Sequence, residues 1–165
     1  MPRDTDHAHL HPEFRQRAEQ LIDRLAQEDL PFRLFEGFRS PQRQRELYAQ
    51  GRTKPGAIVT RARPWQSYHQ YGLGADFVLF IDGQWGWDDR GQRDAWWKRL
   101  HQYARAVGLE PLSFERPHVQ LAGLDLDDLR SGRYPAGGDA AWSDHLEAAI
   151  ESWSGSPQAP PLPQA

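Results

Sequence analysis

Apolar side chains at Phe14, Ala18, Leu21, Ile22, Leu25 and Ala26 recur at three- and four-residue spacing, which predicts an amphipathic helix over residues 12–28 with one face on a core. Residues 32–38 alternate instead and are rich in aromatics, the pattern of a strand. Ser40-Pro41 then supplies an N-cap followed by proline at the first helical position, and Gly51 stops the short helix that they start. Residues 51–66 mix Gly, Pro and Arg without period, so they form a loop placed to border a cleft. From 75 to 81 the chain is apolar save for Asp76 and runs into Asp82-Gly83, which predicts a buried strand closing in a hairpin turn. Trp96, Trp97, Leu100, Tyr103, Ala104 and Val107 fit another helix, closed by Gly108, and 118–121 reads as a short returning strand. Helical spacing returns at Trp142, Leu146, Ala149, Ile150 and Trp153, a C-terminal helical appendage of the same unit.

Strands separated by helices in irregular order predict an α+β fold. The length of 165 residues suits one domain able to bury a core without disulfides. Its expected extent is 11–153. Residues 1–10 are expected to be a flexible N-terminus. From 154 to 165, Ser, Gly, Pro, Gln and Ala dominate, and such a composition buries too little surface to offset its ordering entropy, which predicts a disordered Pro-rich tail.

Charge and composition narrow the chemistry. A net charge of -3 argues against nucleic-acid partners, whose phosphates call for a basic surface. No run approaches the roughly 18 apolar residues of a membrane span. The first six residues do not read as a conventional secretory signal, so the expectation is synthesis in the cytoplasm, with another exit required for any work outside it. With no cysteine, any metal must be held by imidazole and carboxylate.

Imidazole and carboxylate are concentrated in one stretch. His69 and Asp76, with six residues between them, are followed downstream by Glu115-Arg116-Pro117-His118. Two histidines and an aspartate match a hydrolytic zinc site with an open position for water, and a nearby carboxylate that is not a ligand can take the proton from that water. Asp76 opens an apolar strand, so its charge needs a partner; a divalent cation serves, as would one of the chain's arginines. Gly72 and Gly74 let the chain bend so that His69 and Asp76 approach one point. His118 follows Pro117, which fixes an extended entry and holds the ring.

The pattern Ser67-x-His69-x-x-Gly72-x-Gly74-Ala75-Asp76, with Glu115-x-Pro117-His118 downstream and Glu36-Gly37-Phe38-Arg39-Ser40 upstream, resembles the zinc peptidases that include VanY-type D-Ala-D-Ala carboxypeptidases and phage L-alanyl-D-glutamate endopeptidases. The likeness runs from about residue 10 to 121. It implies a hedgehog/DD-peptidase-like fold, a small antiparallel sheet with helices packed around it, and a Zn2+ cofactor on His69, Asp76 and His118. It also implies Glu115 as general base and Arg39 as a residue that binds substrate or stabilises the oxyanion. Ser67 is a further candidate for substrate contact, or else a support for its turn. Gln44, on the helix that follows Arg39, is another candidate for substrate contact.

The function so implied is hydrolysis of peptidoglycan stem peptides. The run 51–60 resembles the endopeptidase branch, which favours an L-alanyl-D-glutamate endopeptidase of endolysin type over a D-Ala-D-Ala carboxypeptidase or dipeptidase. A non-catalytic, zinc-stabilised wall-binding module is the reading from another class. The expected partner is peptidoglycan peptide, the expected state a monomer, and the expected place of action the cell wall or periplasm, with cytoplasmic recycling as the alternative. Many members carry a Trp-Gly-Gly-Asp-Trp stretch before the final motif; here Gly108 to Phe114 is shorter and lacks both tryptophans, which bears on cleft shape. His7, His9 and His11 form a second histidine cluster, expected to be a frayed and weakly chelating terminus. His101 and His145 are expected on helix surfaces. Trp85 and Trp87 suit either a cleft wall or core packing beside the hairpin.

Overall fold

A computed structural model describes residues 2–163; Met1 and positions 164–165, the outer ends of the two segments expected to be flexible, lie outside the described residues. Helix α1 (Pro12–Gln27) buries Phe14, Ala18, Leu21 and Leu25, the predicted stripe. It starts because Pro12 presets the first helical φ and His11 Nδ1 accepts the N–H of Glu13. Strand β1 (Phe32–Glu36) leads to α2 (Pro41–Ala49), where the Ser40 hydroxyl accepts the N–H of Arg43 as the expected N-cap. A short 3-10 turn, Tyr68–Tyr71, precedes β2 (Gly74–Ile81). Asp82 and Gly83 both have positive φ, 52° and 77°, the conformation of a two-residue hairpin, and return the chain as β3 (Gln84–Gly86). Then follow α3 (Gln92–Ala106), β4 (Leu109–Pro111), β5 (His118–Leu121), α4 (Leu126–Arg130) and α5 (Ala140–Glu151).

The sheet is antiparallel throughout, in the order β1-β2-β5-β4, with β3 also on β2. Phe77, Leu79, Trp97, Leu100, Val119 and the α1 stripe share one core, which joins helices to sheet as an α+β unit. No helix among the described residues is long and apolar enough to cross a membrane. Strand β4 falls in the spacer that lacks the two tryptophans; Leu109 there is buried and pairs with Leu121.

The register decides where the chemistry sits. Asp76 on β2 is directly opposite Glu36 on β1 and His118 on β5, so three polar side chains form one row across the strands. A shift between Leu34 and Glu36 in β1 brings Glu36 into that row. Gly74, two residues before Asp76 in the chain, leaves room for His118: a Cβ there would lie 3.1 Å from its Cε1.

Both ends make contacts with the rest of the chain. Among residues 2–10, Leu10 is buried, the Asp4 carbonyl accepts the N–H of Gly37, and Arg3 lies over the Phe35 ring and donates to its carbonyl. Of 154–163, Pro160 is buried, the Pro157 carbonyl accepts from Trp153 Nε1 at 2.8 Å, and the Pro161 carbonyl accepts from the Tyr134 hydroxyl at 2.6 Å. Composition understates such a tail because proline has little chain entropy to lose and two aromatic donors outside it supply the anchors.

Candidate metal centre

His69 sits in the 3-10 turn, whose N-cap Ser67 accepts the His69 N–H with its hydroxyl. The turn ends at Gly72, in the left-handed region at φ 67°, where a Cβ would lie 2.8 Å from the His9 carbonyl oxygen. His69 Nδ1 is 2.7 Å from the Gly37 carbonyl, which can only accept, so that nitrogen carries the proton and Nε2 presents a lone pair. On the other side of the cluster His118 Nε2 is 2.9 Å from Gln120 Oε1, again an acceptor, and this leaves Nδ1 bare.

The bare nitrogens face one another. His69 Nε2 and His118 Nδ1 are 3.3 Å apart, and Asp76 Oδ1 is 3.2 Å from the first and 3.5 Å from the second. Two lone pairs and a carboxylate oxygen turned toward one point repel each other unless positive charge lies among them, supplied by a proton on one ring or by a metal ion in its place. Their donor atoms all fall within 4.8 Å, and both rings are almost fully buried. The donor set, two borderline nitrogens and one hard oxygen with outer nitrogens fixed by carbonyl groups, fits zinc.

Arg39 and Gln44 are placed differently from the expectation of substrate contact. Arg39 donates from Nε and Nη2 to Glu36 Oε1, from Nη2 to Asp76 Oδ2 at 3.1 Å, and from Nη1 to Gln44 Oε1. Four of the five guanidinium hydrogens are thereby committed, and the side chain lines the cleft while mainly holding two carboxylates. Gln44 is fully buried; its amide donates to Thr60 Oγ1 and the Ala62 carbonyl, and its oxygen also accepts from Gln70. It braces the loop 51–66 and is absent from the cleft wall, a correction to its role as a substrate contact.

Burial works against ionisation of Asp76, but the imidazoles of His69 and His118 and the Arg39 guanidinium outweigh it and hold the carboxyl well below the usual carboxylate range. Glu36 follows the same balance: burial opposes its charge, and Arg43 and Arg39 overcome it. Between these carboxylates, Arg39 is pulled up despite its own burial.

The cluster opens into a cleft of about 400 Å3 lined by Arg39, Val59, Thr60, Ala62, Ser67, His69, Asp76, Trp87, Glu115, Pro117 and His118. Glu115 is half-buried on its wall, and its carboxylate makes no hydrogen bond or ion pair among the described residues. The turn that carries it is held from α3: Arg116 pairs with Asp94 at 2.6 Å, and its carbonyl faces His101 Nε2 at 2.9 Å. His101 is thus a support for the Glu115 turn rather than a bare surface histidine. The tryptophans divide, with Trp87 half-exposed on the cleft wall and Trp85 packed on Phe35 and Phe80. A larger hollow of about 780 Å3, around residues 132–144 and Pro163, contains none of the cleft residues.

Sequence reasoning assigned no role to Glu36 or Gln120. A charge ending an aromatic strand directly before Gly37 was the available signal for Glu36, whereas Gln120 had none, since its partner is fixed only by strand direction.

Comparison with known proteins adds four findings. Residues 7–128 match the VanY family, described as D-alanyl-D-alanine carboxypeptidase. The chain is 42% identical over 117 residues to the peptidoglycan L-alanyl-D-glutamate endopeptidase CwlK of Bacillus subtilis (strain 168), covering 67% of each protein. In fold it is similar to the LdcB LD-carboxypeptidase, with a TM-score of 0.54, 24% identity and coverage of 79% and 78% of the two chains. It is similar also to a vancomycin-resistance D,D-pentapeptidase VanY solved in complex with Zn(II), with a TM-score of 0.55, 15% identity and coverage of 90% and 88%.

Proposed function

The chain belongs to the VanY family, and on that premise we propose that it is a zinc-dependent peptidase that hydrolyses peptidoglycan stem peptides, cutting as an L-alanyl-D-glutamate endopeptidase. The observation that carries the metal chemistry is the convergence of two bare imidazole nitrogens and one carboxylate oxygen beside an unpaired glutamate. The choice of bond rests on the 42% identity to CwlK and on the run 51–60.

His69 Nε2, Asp76 Oδ1 and His118 Nδ1 would hold the ion, with the Gly37 carbonyl and Gln120 fixing the two rings. Bound zinc supplies a Lewis acid that polarises the scissile carbonyl and makes water a competent nucleophile at neutral pH. Glu115 takes the proton from the attacking water and returns it to the departing amine. Arg39 keeps Asp76 ionised and aimed, and its one uncommitted N–H is left for the substrate oxygen. Ser67 and Trp87 line the approach. Three protein ligands favour catalysis over a purely structural zinc, which is normally closed by four.

Mass spectrometry of fragments released from a defined muropeptide tests the reading. New N-terminal D-Glu is the expected product; released terminal D-Ala would make the protein a carboxypeptidase. Zinc-loaded protein that leaves the wall uncut would make it a binding module.

A further inference from the structure

The expected histidine cluster at the N-terminus is not one cluster. His7 Nδ1 faces Glu19 at 3.2 Å, and buried His11 caps α1 while its Nε2 faces the Pro135 carbonyl. His9 turns elsewhere, stacking face to face on His145 of α5 with ring centroids 3.5 Å apart and planes 6° from parallel. Both rings present a nitrogen to the same oxygen: Asp4 Oδ2 is 2.7 Å from His9 Nδ1 and 3.5 Å from His145 Nε2.

We propose that Asp4, His9 and His145 form a second divalent-cation site, of zinc-like preference, sharing no residue with the cluster of His69, Asp76 and His118. The donor atoms lie within 4.8 Å of one another, and the two nitrogens and one oxygen are again the set that a borderline first-row cation takes, the stacked rings parting so that both in-plane lone pairs reach it. The arrangement is built rather than adventitious. Asp6 Oδ2 lies 3.7 Å from His9 Nε2, the nitrogen turned away from Asp4, and the Asp6 side chain also caps the turn His7–His9. Phe38 packs edge-on to the His145 ring at 4.4 Å, and the Asp4 carbonyl accepts the Gly37 N–H at 2.8 Å. Side-chain exposures of 24–30% leave an entry for the ion and room for water to complete its shell.

An ion here clamps the N-terminal segment to α5 beside Gly37, the residue whose carbonyl sets the His69 ring. Its role is to pin the frame of the first centre and to take no part in chemistry. His145→Phe is the informative substitution, because it keeps a ring between His9 and Phe38 and removes both nitrogens. Metal-free full chain dialysed against zinc and assayed by elemental analysis should hold two ions, and His145→Phe and Asp4→Asn one each. In the unsubstituted chain, the imidazole nitrogen resonances of His9 and His145 should shift as the second equivalent is added. A wild-type chain that holds no more zinc than the His145→Phe chain, or His9 and His145 resonances that ignore zinc, would overturn the site, whereas a loss confined to the other cluster would overturn only the first centre.

Discussion

Arg39 Nη2 lies 3.1 Å from one carboxylate oxygen of Asp76, while the other oxygen faces His69 Nε2 at 3.2 Å. The aspartate is therefore divided between a fixed cation and the metal cradle, and the same guanidinium is tied to Glu36, whose side chain is 1% exposed. Removing Arg39 takes the guanidinium from Asp76 and leaves Glu36 with Arg43 alone. Arg39→Ala should lower stability by about 3–5 kcal/mol, as when one partner of a buried pair is deleted, and weaken zinc retention as well. Urea unfolding of the metal-free protein and zinc content after dialysis check the two effects separately.

Glu115→Gln should leave zinc content unchanged and lower turnover by about 10²–10⁴, the usual contribution of a positioned general base. Muropeptide hydrolysis measured beside elemental analysis decides it. Loss of the metal together with activity would instead make Glu115 a structural element of the centre.

Gln120→Leu tests whether the ring orientation of His118 matters. The change removes the acceptor at 2.9 Å that keeps the proton on Nε2, so zinc affinity should fall about 10–100-fold. Competition with a chromophoric chelator measures the fall, and Gln120→Glu, which keeps an acceptor, should restore most of it.

The Asp139 side chain caps α5 by accepting the Trp142 N–H, and this bond, aided by Arg15, holds its carboxyl below the ordinary range. A depressed native value means that the stabilisation is present above the unfolded range and is lost as pH falls through the native one. Asp139→Ala should cost about 1 kcal/mol near neutrality, and the gap from wild type should close on acidification below about pH 4. Thermal melts across that interval show it.

Much of this was legible along the chain. Periodicity located α1 within a residue of each end, because the stripe from Phe14 to Leu25 faces the core without interruption. The cluster of His69, Asp76 and His118 was legible as spacing, with glycines where the backbone must bend. What sequence does not carry is which hydrogen each polar group is left with. Gln44 read as a substrate contact because it stands near the motif, yet its amide is spent on Thr60 and the Ala62 carbonyl, and Arg39 spends most of its hydrogens on Glu36, Asp76 and Gln44. His9 and His145 are far apart in the chain and meet only in the fold, so the sequence grouped His9 with His7 and His11 and left His145 alone. Strand β4 is three residues long, below what alternation can reveal.

Because Glu36, Asp76 and His118 are opposed across β1, β2 and β5, a slip of β2 by one position would send Asp76 to the reverse side of the sheet and swap it for an apolar neighbour. Misaligned chains would then have no place for the proposed ion. On the proposed centre, metal uptake would serve as an audit of strand alignment, so a refolding preparation could be graded by the zinc it takes up before any substrate is added.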